Sequence, residues 1–232
     1  MIPYIIINGV KSTNINGLII QKLPPITRPK IRTEVEEIDG RDGDIVTQLG
    51  FEAYDKTLTI GLYGDYNVDE VIKYFNSGGR VIFSNEPDKF YNFYVYEKID
   101  FNKLVNFKTA NVTMHVQPFK YDAEERELTF TRSTFVIRNK GNIYSRPSLY
   151  IKGTGTILFY INNNQVLEIT MPANGQIIID AADMNAKSIS GAYLNRRVKG
   201  DYNNIKLDDG NNTIDVVGNM TSVTFSNFSR WI

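Results

Sequence analysis

The chain holds one histidine, His115, and no cysteine, so few residues are equipped for acid–base or metal chemistry. His115 falls mid-strand in Asn111-Val112-Thr113-Met114-His115-Val116, with no carboxylate cluster beside it in sequence. A lone histidine in that setting reads as structural rather than as a base or ligand. A histidine-rich zinc site needs a second histidine, and a thiolate site or a cysteine nucleophile needs a cysteine. Asp39, Asp42 and Asp44 have the spacing of a weak calcium loop. Arg41 stands between them, however, and no glutamate closes the loop for bidentate ligation. They read first as turn-stabilising carboxylates, as does the acidic pair in Asp208-Asp209-Gly210-Asn211-Asn212. Glu34, Glu36 and Glu37 share one short strand. Alternation puts Glu34 and Glu36 on the same, solvated face, and nothing in sequence sets a second acid opposite them for glycoside hydrolysis. There is no Gly-x-Ser-x-Gly elbow and no P-loop. The expectation is a chain with no catalytic, cofactor-binding or metal-binding residues, not an enzyme.

The elements that carry these residues are β-strands. Ile31-Arg32-Thr33-Glu34-Val35-Glu36-Glu37-Ile38 alternates and then runs into Gly40-Arg41-Asp42-Gly43, a tight turn whose glycines supply positive φ. No lysine follows at phosphate-binding spacing and no helix begins there, so this is a turn and not a phosphate cradle. Further strands are expected at residues 4–8, 17–23, 30–38, 57–63, 80–84, 91–97 and 108–118. The periodicity predicts one helix over 68–76. Asn67 is its N-cap, Glu70 lies at the capping-box offset, and Val68, Val71, Ile72 and Phe75 form an apolar stripe that packs on a sheet; Gly78-Gly79 ends it. In Phe90-Tyr91-Asn92-Phe93-Tyr94-Val95-Tyr96, five of seven residues are aromatic. This strand reads as a sheet buried on one face with tyrosine tips in water, the alternative being a stacking platform for sugars or bases. Lys120-Tyr121-Asp122-Ala123-Glu124-Glu125-Arg126-Glu127 is charged and polar, the best linker in the chain. Beyond it, strands are expected at 128–137, 147–152, 156–161, 166–170, 176–180, 188–190, 204–207, 213–217 and 222–228, a pattern of a sandwich or jelly roll.

The 232 residues can form one large or two small domains. The 26 basic and 26 acidic residues balance, which argues against a nucleic-acid partner. The apolar start, Met1-Ile2-Pro3-Tyr4-Ile5-Ile6-Ile7, lacks a basic region and a small-residue cleavage site, and it reads as a strand ending in the Asn8-Gly9 turn rather than as a secretion signal. No apolar run is long enough to span a bilayer, so no membrane insertion is expected.

Several short features recur in order along the chain. In the first half they are Asn8-Gly9, Gly17-Leu18, Pro24-Pro25, Arg28-Pro29, the Gly40-to-Gly43 turn, the capped helix with Gly78-Gly79, Asn85-Glu86-Pro87-Asp88 and Gln117-Pro118-Phe119-Lys120-Tyr121. In the second they are Asn139-x-Gly141, Pro147, Gly153-x-Gly155, Ile161-Asn162-Asn163, Ile179-Asp180, Leu207-x-x-Gly210-Asn211-Asn212 and Arg230-Trp231. Taken together, this series resembles the distal tail proteins (Dit) of long-tailed, siphovirus-type bacteriophages. The resemblance implies a mainly β protein. Residues 1–122 would form an N-terminal β-rich domain, split-barrel or sandwich-like, with one packed helix, and residues 128–232 a C-terminal galectin-like β-sandwich facing outward. It implies a structural component of the virion at the tail tip, assembled in the host bacterial cytoplasm. Six copies would form a ring, single or stacked, joining the tail-tube protein to the tail-associated fibre or tip protein and to receptor-binding or baseplate proteins. Arg28, Arg32, Arg41, Asp42 and Asp44 are the candidate ring-interface residues. No module is inserted between the strands of the second half, so the chain resembles the short form that lacks an added carbohydrate-binding insertion. The alternative is a carbohydrate-binding module that recognises host cell-wall polysaccharide through Tyr150, Tyr160, Tyr193 or Trp231.

Overall fold

The structure is a computed structural model that describes residues 2–76 and 78–232. It divides into two compact units, residues 1–123 and residues 124–231, each around its own apolar cluster.

The first unit runs β1 (Ile5–Ile7), β2 (Val10–Lys11), β3 (Leu18–Lys22), β4 (Ile31–Glu36), β5 (Ile45–Phe51), β6 (Tyr54–Leu62), α1 (Val68–Phe75), β7 (Gly79–Phe83), β8 (Lys89–Tyr94), α2 (Phe101–Phe107) and β9 (Thr109–Asp122). Apart from β4 and β5, its strands join one antiparallel sheet in the order β2-β1-β7-β8-β9-β6-β3. The alternation of β6 explains the layering. Leu58 and Ile60 face inward opposite Val112 and Ala110 of β9, while Thr57 and Thr59 face outward and bond Thr113 and Asn111 at 3.3 and 3.1 Å. Val71 and Phe75 of α1 and Leu104 of α2 complete the same core. Each such large side chain contributes roughly 1.5–3 kcal/mol by leaving water.

The expected cap of α1 is present: Asn67 Oδ1 accepts from the amides of Asp69 and Glu70 at 3.0 and 3.4 Å. The second helix was not legible in the sequence. Asp100 caps it by accepting from the Lys103 amide at 2.9 Å, and Lys108 ends it at φ +56°, where glycine is the usual residue. Lys120 and Asp122, read as part of a linker, belong to β9.

The second unit runs β10 (Leu128–Phe130), β11 (Thr134–Asn139), β12 (Ser148–Ile161), β13 (Asn164–Thr170), β14 (Gln176–Asp180), β15 (Asn185–Lys187), β16 (Val198–Lys199) and β17 (Gly210–Ser226). It is the expected β-sandwich, made by two long strands that pass from one layer to the other. The first part of β12 pairs with β14 and the last part of β17, and β10 and β15 flank them. The last part of β12 pairs with β13 and the first part of β17, flanked by β11 and β16. Leu149, Ile151, Phe159, Ile214 and Phe225 from both layers share one core. The bend falls at Gly153–Gly155 and Gly218, where register shifts. Gly218 has φ +122°, and a Cβ there would sit 2.4 Å from the Thr156 carbonyl oxygen. These glycines therefore bend strands that the sequence reading ended. Three further differences are local. The strand expected over 128–137 is split into β10 and β11, the segment Ser188–Ser190 follows β15 as a turn, and Tyr202–Asn204 is a 3-10 turn from which Leu207 only bridges to Ser145.

Candidate functional site

Among the described residues, β4 and β5 form a two-stranded antiparallel ribbon with no partner in either sheet. Its pairs run Ile31↔Phe51, Arg32↔Gly50, Thr33↔Gln48, Glu34↔Thr47, Val35↔Val46 and Glu36↔Ile45, and a bulge places Leu49 outside the register. The turn beyond is built as its glycines require: Gly40 and Gly43 lie at φ +82° and +78°, and the Arg41 amide donates to the Ile38 carbonyl at 3.1 Å. This arm exposes apolar side chains. Val35 and Val46 face each other across the strands while 53 % and 61 % exposed, with Ile38 and Leu49 also exposed. An isolated two-stranded ribbon is marginal in water, and among the described residues neither of its edges pairs with a further strand.

The root of the arm is held tightly. Phe51 packs edge-on against Phe119 at 5.4 Å between ring centroids, and the Glu52 amide donates to the Lys30 carbonyl at 2.8 Å. Three side chains grip the extended segment that enters the arm by its carbonyls: Asn85 Nδ2 donates to Pro24 at 3.0 Å, Lys56 Nζ to Pro25 at 2.8 Å and the Tyr54 hydroxyl to Thr27 at 3.2 Å. Beneath them Glu86 accepts from Lys120 Nζ at 2.9 Å and from the Tyr91 hydroxyl at 2.6 Å. Burial holds the Lys56 ammonium down to about 8, against the pull of Glu86, and Lys120 adds to the depression. Burial, reinforced by the Glu86 carboxylate, pushes the Tyr91 phenol up.

Arg28, Arg32, Arg41, Asp42 and Asp44 are all exposed, and all but Arg28 lie on the arm or its tip. Arg28 precedes it in the segment between β3 and β4 that is gripped at Pro24, Pro25 and Thr27. Residues 31–51 carry Glu34, Glu36, Glu37, Asp39, Asp42 and Asp44 against Arg32 and Arg41, a net charge of −4 on a chain whose total is zero. The apolar pair Val35–Val46 and the carbonyl clamps at the root were not singled out from the sequence. A cross-strand valine pair is visible only once the register is known.

The remaining residues with chemical potential are dispersed. His115 is not alone: its Nδ1 lies 2.7 Å from Asp55 Oδ1, with the Tyr96 ring edge-on at 5.3 Å. Sequence reasoning missed Asp55 because the two face each other only across the β6–β9 pairing. The Tyr96 phenol, beside the same Asp55 carboxylate, is pushed up chiefly by partial desolvation and then by the charges of Asp55 and Glu97. Among the described residues no three His, Asp or Glu groups converge as a metal site would require. In the aromatic strand Phe90, Tyr91 and Phe93 are buried while Tyr94 and Tyr96 are exposed. Tyr150 and Tyr160 are half-buried on β12, their hydroxyls held by Gln176 and Gln165; Tyr193 is exposed and Trp231 half-buried.

Residues 9–116 match the family model described as the phage tail protein RIFT-related domain. The whole chain has the fold of SPP1 Dit (gp 19.1), described as a paradigm of the hub adsorption apparatus in phages infecting Gram-positive hosts. The TM-score is 0.67 at 15% identity, with 100% of both chains covered. Chains of the phage p2 baseplate in its activated conformation also match. With Sr the TM-score is 0.54 at 11% identity, over 97% of this chain and 96% of that one; with Ca it is 0.53 at 10% identity, over 97% of each. No curated protein matches. The resemblance to siphovirus distal tail proteins, read from the motifs, is thereby borne out.

Proposed function

We propose that this chain is a non-enzymatic hub of a siphovirus-type phage tail, in which copies join arm to neighbour in a closed homohexameric ring. The observation that carries the proposal is the arm: a ribbon with exposed Val35, Val46 and Leu49 and a net charge of −4, rooted by a dense set of hydrogen bonds. An acidic ribbon on an otherwise net-positive chain is complementary to a second copy of that chain. A head-to-tail contact between unlike patches closes into a ring when its rotation divides the circle. Residues 1–122 supply that ring, and Arg28, Arg32, Arg41, Asp42 and Asp44 supply its polar rim. The ring, single or stacked, joins the tail-tube protein to the fibre or tip protein and to receptor-binding or baseplate proteins, and it resides at the virion tail tip after assembly in the host cytoplasm. Likeness to a hub and to baseplate chains supports this placement.

The test is the double substitution Val35→Asp with Val46→Asp. Because both side chains are exposed, the fold should persist by circular dichroism while the assembly falls to monomer by light scattering. An unchanged oligomer would remove the arm from the interface.

A further inference from the structure

Asparagine is followed by glycine three times, at Asn8-Gly9, Asn16-Gly17 and Asn174-Gly175. A glycine has no Cβ to hinder its own nitrogen as it closes on the preceding side-chain carbonyl, so these are the pairs disposed to lose ammonia. All three asparagines are exposed, and Ile7-Asn8-Gly9 and Ile15-Asn16-Gly17 are the same tripeptide. Hydrogen bonding separates them. The Asn8 side chain is pinned at both ends: Nδ2 donates to the Gly78 carbonyl at 3.1 Å, and Oδ1 accepts from the Arg80 amide at 2.9 Å. At Asn174 both reacting groups are engaged. Its Oδ1 accepts from the Gln176 amide at 3.3 Å, and the Gly175 amide donates to the Pro172 carbonyl at 2.8 Å. The turn around Asn16 closes without using either group. The Ile15 amide donates to the Ser12 carbonyl and the Leu18 amide to the Ile15 carbonyl, both at 3.2 Å. Among the described residues, neither the Asn16 side chain nor the Gly17 amide makes a hydrogen bond.

We propose that Asn16 is a site of self-modification, at which the folded chain converts its own asparagine to aspartyl and isoaspartyl residues. The Gly17 nitrogen, having lost its proton to solvent base, bonds to the Asn16 side-chain carbonyl carbon. The bond from that carbon to the side-chain nitrogen breaks, and ammonia leaves. Water then opens the cyclic imide at one of its two carbonyls, giving aspartate or the isoaspartyl linkage. Either product adds a negative charge at the entry to β3, which ends its sheet and, among the described residues, pairs only with β6, leaving Ile19 exposed. The isoaspartyl form also lengthens the main chain beside Gly17, where there is little slack. The Gly17 carbonyl accepts from the Tyr63 amide at 2.9 Å, and a Cβ on Gly17 would sit 2.5 Å from Tyr66 Cβ. This sheet edge is therefore set to acidify and loosen with age. The inference rests neither on the arm nor on the ring.

The test is to age the full chain in mildly alkaline buffer and follow amide loss at the three asparagines by peptide mapping and mass spectrometry. The expected result is conversion of Asn16 at least about fivefold faster than that of Asn8 or Asn174, because the bonds that hold those two must open first. Unfolding the chain in guanidinium removes the bonds. Asn8 and Asn16 should then convert at rates within about twofold of each other, as matching tripeptides free of the fold require. A folded-state ratio below about fivefold, or a difference between Asn8 and Asn16 that survives unfolding, would overturn the proposal.

Discussion

Lys56 occupies an inward position of β6 and is 3 % exposed, yet its ammonium reaches the Pro25 carbonyl at 2.8 Å and lies 4.9 Å from the centre of the Tyr91 ring. Burial is the larger influence, so its folded value falls from 10.5 to about 8 despite Glu86. The sign follows from linkage. Between pH 8 and 10.5 the unfolded chain holds a proton that the fold has released, so stability from this group rises with pH across that window. Below pH 8 the burial penalty is present in full. The size is roughly 3 kcal/mol at most. Wild-type protein should therefore gain stability relative to Lys56→Met between pH 7.5 and 10, measured as the separation of their urea midpoints; a separation that does not change with pH would contradict this. The raised phenols of Tyr74 and Tyr91 are common to both proteins and cancel. A clamp of this kind was not legible, since Lys56 lies on β6, Glu86 in the turn between β7 and β8 and Lys120 on β9, and they converge only when β6, β8 and β9 pair.

At the scale of elements, the sequence carried what periodicity and local chemistry can carry. The cap at Asn67 and the stripe through Val71 and Phe75 located α1 to within a residue. Asn67→Ala removes two accepted amide bonds and should cost about 1 kcal/mol in urea unfolding. The shorter α2 escaped because aromatic residues at Phe101 and Phe107 resemble strand composition and because Lys108, not glycine, takes the left-handed position. In the second unit glycines were read as strand ends, but they bend β12 and β17 between layers. Propensity marks where a chain turns sharply, not whether pairing resumes beyond the turn. Gly218→Ala places a Cβ against the Thr156 carbonyl at a φ that side chains rarely adopt. It should lower stability by roughly 2–4 kcal/mol, seen as a fall in the thermal midpoint. A neutral outcome would mean that the corner relaxes freely.

At the scale of the molecule, two β units with separate cores carry one conspicuous feature that neither core explains, the arm of residues 31–51. Its turn glycines and charged tip were legible in the sequence, as was the alternation of its first strand. Its second strand, Ile45–Phe51, was not, because Gly50 and the bulge at Leu49 break the alternation. The acidic balance of the arm makes salt a lever. If neighbouring copies meet through charge complementarity, raising ionic strength to about 1 M should slow assembly of dissociated chains several-fold, since the screening length falls to roughly 3 Å. The role of the arm in a ring is tested most directly by the absolute mass of the wild-type protein in light scattering, with electron images of the same peak. The expected result is a closed ring of six copies, each of 26.5 kDa, around a central channel. A monodisperse monomer at every concentration, with Val35 and Val46 left in water, would contradict it.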